Sequence, residues 1–410
     1  MDTDTKLAIL ASLAPDSAFD SLLEVLVDAG GDVELARTRL ASSSSISTST
    51  STSTSSKQLQ APVTRFFNVS SSSETSPPRK RVRTHSGTLS KLPPPVLHLY
   101  TPATIAQYTP CTFTPNFLPP DLAEPLLSFL LDESVSWQPN LFRLFNREVS
   151  SPHTTSFYVN PDKVDAFTHT YRYNGAAITD VRRFNDTMMQ VQALIEEVVN
   201  KEISDRGFLK HQTHDKWVAD VAFCNRYDGP TESVGFHSDR LTYIGPQPVI
   251  ASLSLGVTRE FRLRPMAPPS ENSGTQTYSL HLPHNSLLIM HAPCQEKFKH
   301  SVIPARKVDP HPIAGNVRLN LTYRMFRQEF SPENSPTCKC GITMVLRCVS
   351  KKQDSLGKYF WSCASAYQQE TGCDLFIWQP VTDDGNPVKL QTYDYSSKPQ
   401  TESQPKSNDT

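Results

Sequence analysis

Apolar residues near the start of the chain recur every three to four positions. Leu7, Leu10 and Leu13, then Phe19, Leu22, Leu23 and Leu26, then Val33, Leu35, Ala36 and Leu40 trace three short helices across residues 6–40, separated by Pro15 and Gly30-Gly31. A bundle of that size lies near the lower limit of what folds alone. From Ser42 to Ser56 the pattern gives way to an almost pure Ser/Thr run, and low complexity continues to about Pro95. Such sequence buries too little apolar surface to offset its ordering entropy, and it reads as a linker. Beyond it, residues 218–227, 249–264, 278–282, 286–291 and 317–326 are short, β-rich and bounded by Gly, Pro and Asn turns, which predicts a sandwich or jelly roll. Ahead of these strands, Val181, Phe184, Met188, Val191, Leu194, Ile195 and Val198 keep helical spacing, which predicts a helix over 180–201 on the outside of the sheet.

The 410 residues exceed what one core usually serves. The breaks in pattern divide them into a helical domain at 1–41, a linker at 42–95, a globular domain at 96–330, a cysteine-bearing finger at 335–380 and a disordered polar tail at 381–410. With 37% apolar and 20% charged residues, and 33 prolines against 15 glycines, fibrous and wholly disordered classes are excluded. Lys and Arg number 40 and Asp and Glu 41, so attraction to a polyanion must come from a local patch. No run of about 18 apolar residues occurs and no signal peptide is recognisable, so a soluble, intracellular chain with no membrane partner is expected. In a reducing compartment, five of the eight cysteines falling between Cys338 and Cys373 favours metal over disulfides. Cys111, Cys224 and Cys294 read as buried thiols.

Candidate chemistry concentrates between residues 218 and 325. His237-Ser-Asp239 puts an imidazole and a carboxylate on the same side of an extended strand, and His300 supplies a second imidazole from downstream. Two His and one carboxylate make a facial triad that leaves sites open on Fe(II) for cosubstrate and oxygen. Alternation in Arg318-Leu-Asn320-Leu-Thr322-Tyr-Arg324 sets Arg318, Asn320, Thr322 and Arg324 on one face and Leu319, Leu321 and Tyr323 on the other. If the apolar face packs on the helical layer, two arginines point into the barrel and need an anionic guest, because unpaired buried charge costs several kcal/mol. Their Cα atoms lie about 20 Å apart at about 3.3 Å per residue, which leaves room for a small dicarboxylate such as 2-oxoglutarate.

These residues, preceded by Asn225-x-Tyr227, resemble the AlkB family of Fe(II)/2-oxoglutarate dioxygenases over roughly 96–330. The resemblance implies a double-stranded β-helix (jelly roll) of α+β class with an N-terminal nucleotide-recognition lid, and Fe(II) held by His237, Asp239 and His300. It implies that Arg324 binds the distal carboxylate of 2-oxoglutarate, that Arg318 lies near the metal-chelating end, and that Asn225, Tyr227 and Asn320 line the cosubstrate pocket. The implied reaction consumes oxygen and 2-oxoglutarate and oxidises an N-alkyl carbon, whose hydroxylated alkyl group leaves as an aldehyde. For a nucleobase this requires base flipping and stacking. Tyr171 and Tyr173 resemble the family's aromatic pair before a glycine, although either could equally be core. Arg147 and His153 lie where the family has a strand-gripping loop. Arg240 opens the run after the triad, where several DNA-repair members carry acidic residues, so base preference stays open.

Cys338, Cys340, Cys363 and Cys373 are two separated pairs suited to a closed tetrahedral zinc, with Cys348 left over. Their order resembles the GRF zinc finger, with Lys358 in place of the arginine. Aromatics interleaved with Lys351, Lys352 and Lys358 suggest a platform for single strands, the alternative being a zinc-held protein-interaction domain. The small all-α N-terminal bundle resembles CUE ubiquitin-binding domains, with Leu13-Ala-Pro15 where that family has Met-Phe-Pro, and reads equally as a helical interaction module. Gln60, Val63, Phe66 and Phe67 resemble the box that docks on the replication sliding clamp, the alternative being a chance apolar spot. The basic run 78–83 reads as a nuclear import signal, a nucleic-acid tether or a solvated charge run. Together these modules point to nuclear oxidative dealkylation of DNA. An RNA demethylase of the same chemistry and a non-catalytic ubiquitin and clamp adaptor remain the alternatives.

Overall fold

The computed structural model describes Val25, Ala29, Asp32 and residues 35–38, then residues 95–389 apart from 145–146, 174–175, 179, 267–275, 351, 366–372 and 374. Most of the N-terminal bundle, the clamp-like box, the basic run, Lys351 and residues 390–410 lie outside the described residues. The chain divides into two units, Met1–Lys91 and Leu92–Thr410. In the first, the Asp32 carboxylate accepts from the Leu35 backbone N–H (3.0 Å) and begins the helical residues 35–38.

In the second unit, period-two sequence builds two facing sheets. The smaller runs in the order β1 (Leu97–Leu99), β12 (Tyr278–Leu282), β11 (Arg259–Pro265), β14 (Phe298–Val302) and β9 (Val234–His237). The larger runs β2 (Cys111–Pro115), β13 (Ser286–Met290), β10 (Ile250–Gly256), β15 (Val317–Arg324), β8 (Val221–Asp228), β4 (Arg147–Val159) and β3 (Gln138–Leu144), with β7 (Val181–Arg183) beside β4. A short ribbon joins β5 (Arg172–Tyr173) to β6 (Ala176–Ala177), and a three-stranded sheet of β16 (Val345–Cys348), β17 (Tyr359–Ser362) and β18 (Phe376–Gln379) follows. The helices are α1 (Pro102–Tyr108), α2 (Pro120–Glu133), α3 (Val164–Thr170), α4 (Asp186–Arg206) and α5 (Cys294–Lys297).

Alternation sorts the side chains of the larger sheet. Leu253, Leu255, Leu287, Ile289, Leu319, Leu321 and Tyr323 pack against Leu126, Leu127 and Leu130 of α2 and Met188, Val191, Ile195 and Val199 of α4. The opposite face sends Ile250, Leu288 and Met290 toward Phe261, Leu263, Leu280 and Leu282 of the smaller sheet. Arg318, Asn320, Thr322 and Arg324 therefore point between the sheets, as the alternation of β15 predicts.

The structure moves two predicted boundaries. The helix expected at 180–201 starts at Asp186, because the Asn185 side chain caps it by accepting from Met188 N–H (2.8 Å), while 181–183 join the sheet as β7. The strand expected at 249–264 breaks into β10 and β11 at Gly256, whose φ is +86° and where a Cβ would lie 2.2 Å from the Val317 carbonyl oxygen.

The C-terminal module does not stand apart as its composition suggests. Leu241 and Phe330 of the double-sheet domain share one core with Met344, Leu346, Tyr359, Trp361 and Ile377. Residues 381–389, expected to begin a disordered tail, form a turn closed by a Val381–Pro387 bridge. The turn is polar, but its backbone is claimed from outside. Arg327 Nη1 donates to the Gly385 carbonyl (2.8 Å) and His211 N–H to the Asp383 carbonyl (2.7 Å).

Burial lowers the His291 imidazole to about 3, with Arg206 adding to the effect. The unfolded chain, whose His titrates near 6.5, takes up that proton first, so stability is complete above about 6.5 and is lost as pH falls. His291 alone should cost about 2 kcal/mol at about pH 5. Urea unfolding across this range should show a shallower acid loss in His291→Asn than in the wild-type chain.

Candidate metal centre

Strand pairing brings the triad together. His237, at the end of β9, lies opposite His300 of β14 in the ladder, with ring centroids 4.3 Å apart. Asp239 follows β9 and turns Oδ1 to within 3.6 Å of His300 Nε2 and 3.9 Å of His237 Nε2. All three ligand atoms fall within 4.8 Å of one another. His237 Nδ1 lies 2.8 Å from the Gly235 carbonyl oxygen, so it is the protonated nitrogen and Nε2 keeps its lone pair for a metal. His300 is buried beside Phe261, and that burial lowers its imidazole to about 3, which leaves it neutral and able to ligate.

Asp239 is held in its ionised form. Burial works to raise its carboxyl, but Arg324 first and then the two imidazoles outweigh this and bring it down to about 2. Arg324 Nε donates to Asp239 Oδ2 at 2.7 Å, with Nη2 at 2.5 Å, which leaves Oδ1 turned to the imidazoles. Gln295 Oε1 accepts the Asp239 backbone N–H (2.8 Å). This donor set, two imidazole nitrogens and one carboxylate with an open side where the His237 side chain is 42% exposed, fits an octahedral Fe(II).

Arg318 is 1% exposed and sits further into the barrel. Its Nη2 donates to Ser254 Oγ (2.9 Å), while Nε and Nη1 are buried with no hydrogen-bond partner among the described residues. Burial lowers the guanidinium to about 10, partly offset by the adjoining Tyr227. It is still a cation, and two buried N–H groups that meet no acceptor among the described residues call for an anion. The two arginines are thus placed the other way round from the expectation. Arg324 lies at the metal end and is engaged by Asp239, whereas Arg318 has free donors remote from it.

The other candidate residues separate. Asn225 and Tyr227 face inward on β8, opposite Asn320 and Arg318. Asn320 Nδ2 donates to Ser252 Oγ (2.7 Å), and its Oδ1 accepts from Thr322 (3.0 Å). Arg147 and His153 lie on β4, not on a loop. His153 is buried and stacked on Tyr227 (4.9 Å), with Nδ1 at 3.0 Å from the Ser233 carbonyl oxygen and its imidazole lowered by burial to about 4. Tyr171 packs on Phe167 (4.3 Å), Tyr243 (4.9 Å) and Phe326 (5.2 Å), the core alternative. The side chains of Arg147 and Tyr173 lie outside the described residues, and Arg240 is half-buried. Sequence reading missed Ser252 and Ser254, although their alternation in Ile250-Ala-Ser-Leu-Ser placed both on the inner face beside β15.

At the C-terminal module, Cys338 and Cys373 approach to 3.4 Å, as do Cys340 and Cys363, and all four thiols lie within 4.8 Å. Cys348 is apart, its thiol against the Val349 carbonyl. Four thiols without disulfides suit tetrahedral zinc.

A double-stranded β-sheet barrel with an inward His–Asp–His face and a buried arginine defines a non-haem iron oxygenase site. Residues 110–324 match the 2OG-Fe(II) oxygenase superfamily, and the chain belongs to that superfamily. It is 42% identical over 105 residues to alpha-ketoglutarate-dependent dioxygenase alkB homolog 3 of Mus musculus, covering 25% of this chain and 34% of that protein. DNA oxidative demethylase ALKBH2 of Arabidopsis thaliana is 24% identical over 212 residues, 48% of this chain and 60% of that protein. The chain thus spans about a third of the alkB homolog 3 relative. The solved structure of OsALKBH1 superposes with a TM-score of 0.35 at 15% identity, over 53% of this chain and 98% of that one.

Two outcomes are expected. Asp239→Ala should lose measurable binding of Mn(II), a redox-inert stand-in, in calorimetric titration, because it removes a ligand and frees Arg324. Elemental analysis should find zinc lost in Cys363→Ser and retained in Cys348→Ser.

Proposed function

We propose that the chain is an Fe(II)/2-oxoglutarate-dependent dioxygenase that removes alkyl groups from nucleobases of DNA. The observation that carries this reading is the inner surface shared by the His237–Asp239–His300 face and the unpaired Arg318 guanidinium. The names of the relatives, a dioxygenase and a DNA oxidative demethylase, support the substrate class. When bound, Fe(II) with 2-oxoglutarate and oxygen supplies the oxidation of the N-alkyl carbon. The chain's residues position the partners of that chemistry. Arg318 takes the distal carboxylate of 2-oxoglutarate, pairing its free N–H groups, while Tyr227 packs against the guanidinium at 5.3 Å. Asn225 lines the same wall. Asn320, already engaged by Ser252 and Thr322, acts by holding that wall in shape. Arg324 keeps Asp239 ionised and aimed at the metal. The alkylated base enters where His237 is exposed, next to Arg240.

Structural zinc holds the C-terminal module. On its outer face Phe376 and Trp378 are 54% and 45% exposed and lie 5.7 Å apart beside Phe360, a stacking surface for unpaired bases flanked by the exposed Lys352 and Lys358. The clamp-like box at Gln60, Val63, Phe66 and Phe67, the basic run at 78–83 and the N-terminal bundle extend the reading to a nuclear repair enzyme that docks on the sliding clamp and on ubiquitin.

The test is formaldehyde release, with Fe(II), 2-oxoglutarate and ascorbate, from matched methylated DNA and RNA oligonucleotides. Release from DNA above RNA is expected, and Arg318→Met should lower kcat/KM for 2-oxoglutarate by about a hundredfold, since two charge-assisted hydrogen bonds are lost. Release from RNA alone would turn the reading to RNA demethylation, and release from neither would remove it.

A further inference from the structure

The segment after Asp239 is strained. Tyr243, Gly245 and Gln247 take φ values of +74°, +71° and +49°, a left-handed conformation that tyrosine and glutamine rarely adopt. Such backbone persists only where the surroundings dictate it. Here they come from two sides.

One side is α5, which leads directly into β14 and His300. Its adjacent residues hold both ends of the segment: Gln295 Oε1 accepts the Asp239 N–H (2.8 Å) and Glu296 Oε1 accepts the Gln247 N–H (2.7 Å). The other side is the C-terminal module. The Tyr359 hydroxyl donates to Glu296 Oε1 (3.3 Å) and accepts from Gln247 Nε2 (3.3 Å), which closes a ring of hydrogen bonds through Gln247, Tyr359 and Glu296. Leu346 N–H donates to Thr242 Oγ1 (3.0 Å), and Leu241 is buried in the module's core. The Arg327 N–H donates to the Tyr243 carbonyl (2.7 Å), and Arg327 is in turn fastened to the 382–386 turn through Gly385 and Asn386. The Phe330 ring lies where a Gly245 Cβ would be, at 2.9 Å.

The four-cysteine cluster has a part in this. Cys338 and Cys340 precede β16, Cys363 follows β17 and Cys373 precedes β18, so the cluster ties the three strands whose inner face presents Leu346 and Tyr359 to the segment. Glu296 Oε2 is buried without a partner among the described residues, and burial raises the carboxyl to about 7.

We propose that the four-cysteine module is a positioning element of the iron site: Tyr359 and Leu346 brace the strained 240–247 segment, so that the placement of the Asp239 carboxylate depends on a folded, metal-bound module. This rests on the oxygenase reading of the triad. It is separate from any grip on nucleic acid, because Tyr359 and Leu346 face inward, whereas Phe360, Phe376 and Trp378 face out.

The experiment uses the full chain. Tyr359→Phe removes the hydroxyl and keeps the ring, and Thr242→Val removes the acceptor for Leu346. Each is measured for Mn(II) affinity with 2-oxoglutarate by calorimetry, for zinc content, and for hydrogen exchange in 240–247 and in β15. Both variants should retain zinc and β15 protection, weaken Mn(II) binding by about tenfold and speed exchange in 240–247, the scale expected when a support of a ligand is lost. Mn(II) affinity within about twofold of wild type, or unchanged exchange in the segment, overturns the proposal. Should a variant not fold, zinc is withdrawn from the wild-type chain by a chelator. Faster exchange in 240–247 then supports the brace, and unchanged exchange rejects it. Exchange is read with zinc retained and without Mn(II), so a wild-type chain that binds no Mn(II) would count against the oxygenase reading and leave the brace still decided by exchange.

Discussion

The inward cationic face of β15 is the constraint on which the rest of the site depends. A strand that buries Leu319, Leu321 and Tyr323 against helices must send Arg318 and Arg324 into the space between the sheets. Buried guanidinium is tolerated only when its donors are met. Arg324 meets this requirement with Asp239, and in doing so orients the carboxylate and keeps it ionised. Arg318 meets it only in part, through Ser254, and that unmet remainder is the basis on which a carboxylate guest is proposed. One alternating strand therefore supplies both the guanidinium that orients the Asp239 carboxylate and a second, partly unmet guanidinium, while the two imidazoles come from β9 and β14 of the facing sheet.

A second dependence runs from the metal segment outward. Backbone of positive φ at Tyr243 and Gln247 has one internal hydrogen bond, from the Gly245 N–H to the Leu241 carbonyl (2.8 Å), and its other hydrogen bonds lead to α5, to Arg327 and to the three-stranded module. The module has two faces with different tasks. Tyr359, Leu346 and Trp361 complete a core begun by Leu241 and Phe330, while Phe376 and Trp378 stay open to solvent. A small sheet too thin to bury a core alone is stabilised by sharing one, and the metal segment is constrained by the same contact.

Much of the oxygenase core was legible in the sequence because its signals are local. Period-two alternation assigned the two faces of β15, and the His-x-Asp spacing put two ligands on one side of an extended segment. Helix boundaries were less legible, since Asn185 as a cap and β7 as an edge strand are settled by neighbours and not by the spacing of Val181 and Phe184. His153 read as part of a strand-gripping loop because nothing near it in sequence reveals that Tyr227, on another strand, stacks on it.

By itself the sequence determined which residues carry charge, which can ligate a metal, and which face of each strand they share, because these follow from side-chain chemistry and the pitch of the backbone. Only the tertiary structure decided that Arg324 belongs to Asp239 while Arg318 keeps two buried N–H groups without a partner among the described residues, that the 381–389 turn packs on Arg327, and that Tyr359 reaches Glu296, 63 positions away along the chain. Each of these is a contact between elements distant in sequence. Its partners are chosen by how the sheets stack, and no local pattern records that choice.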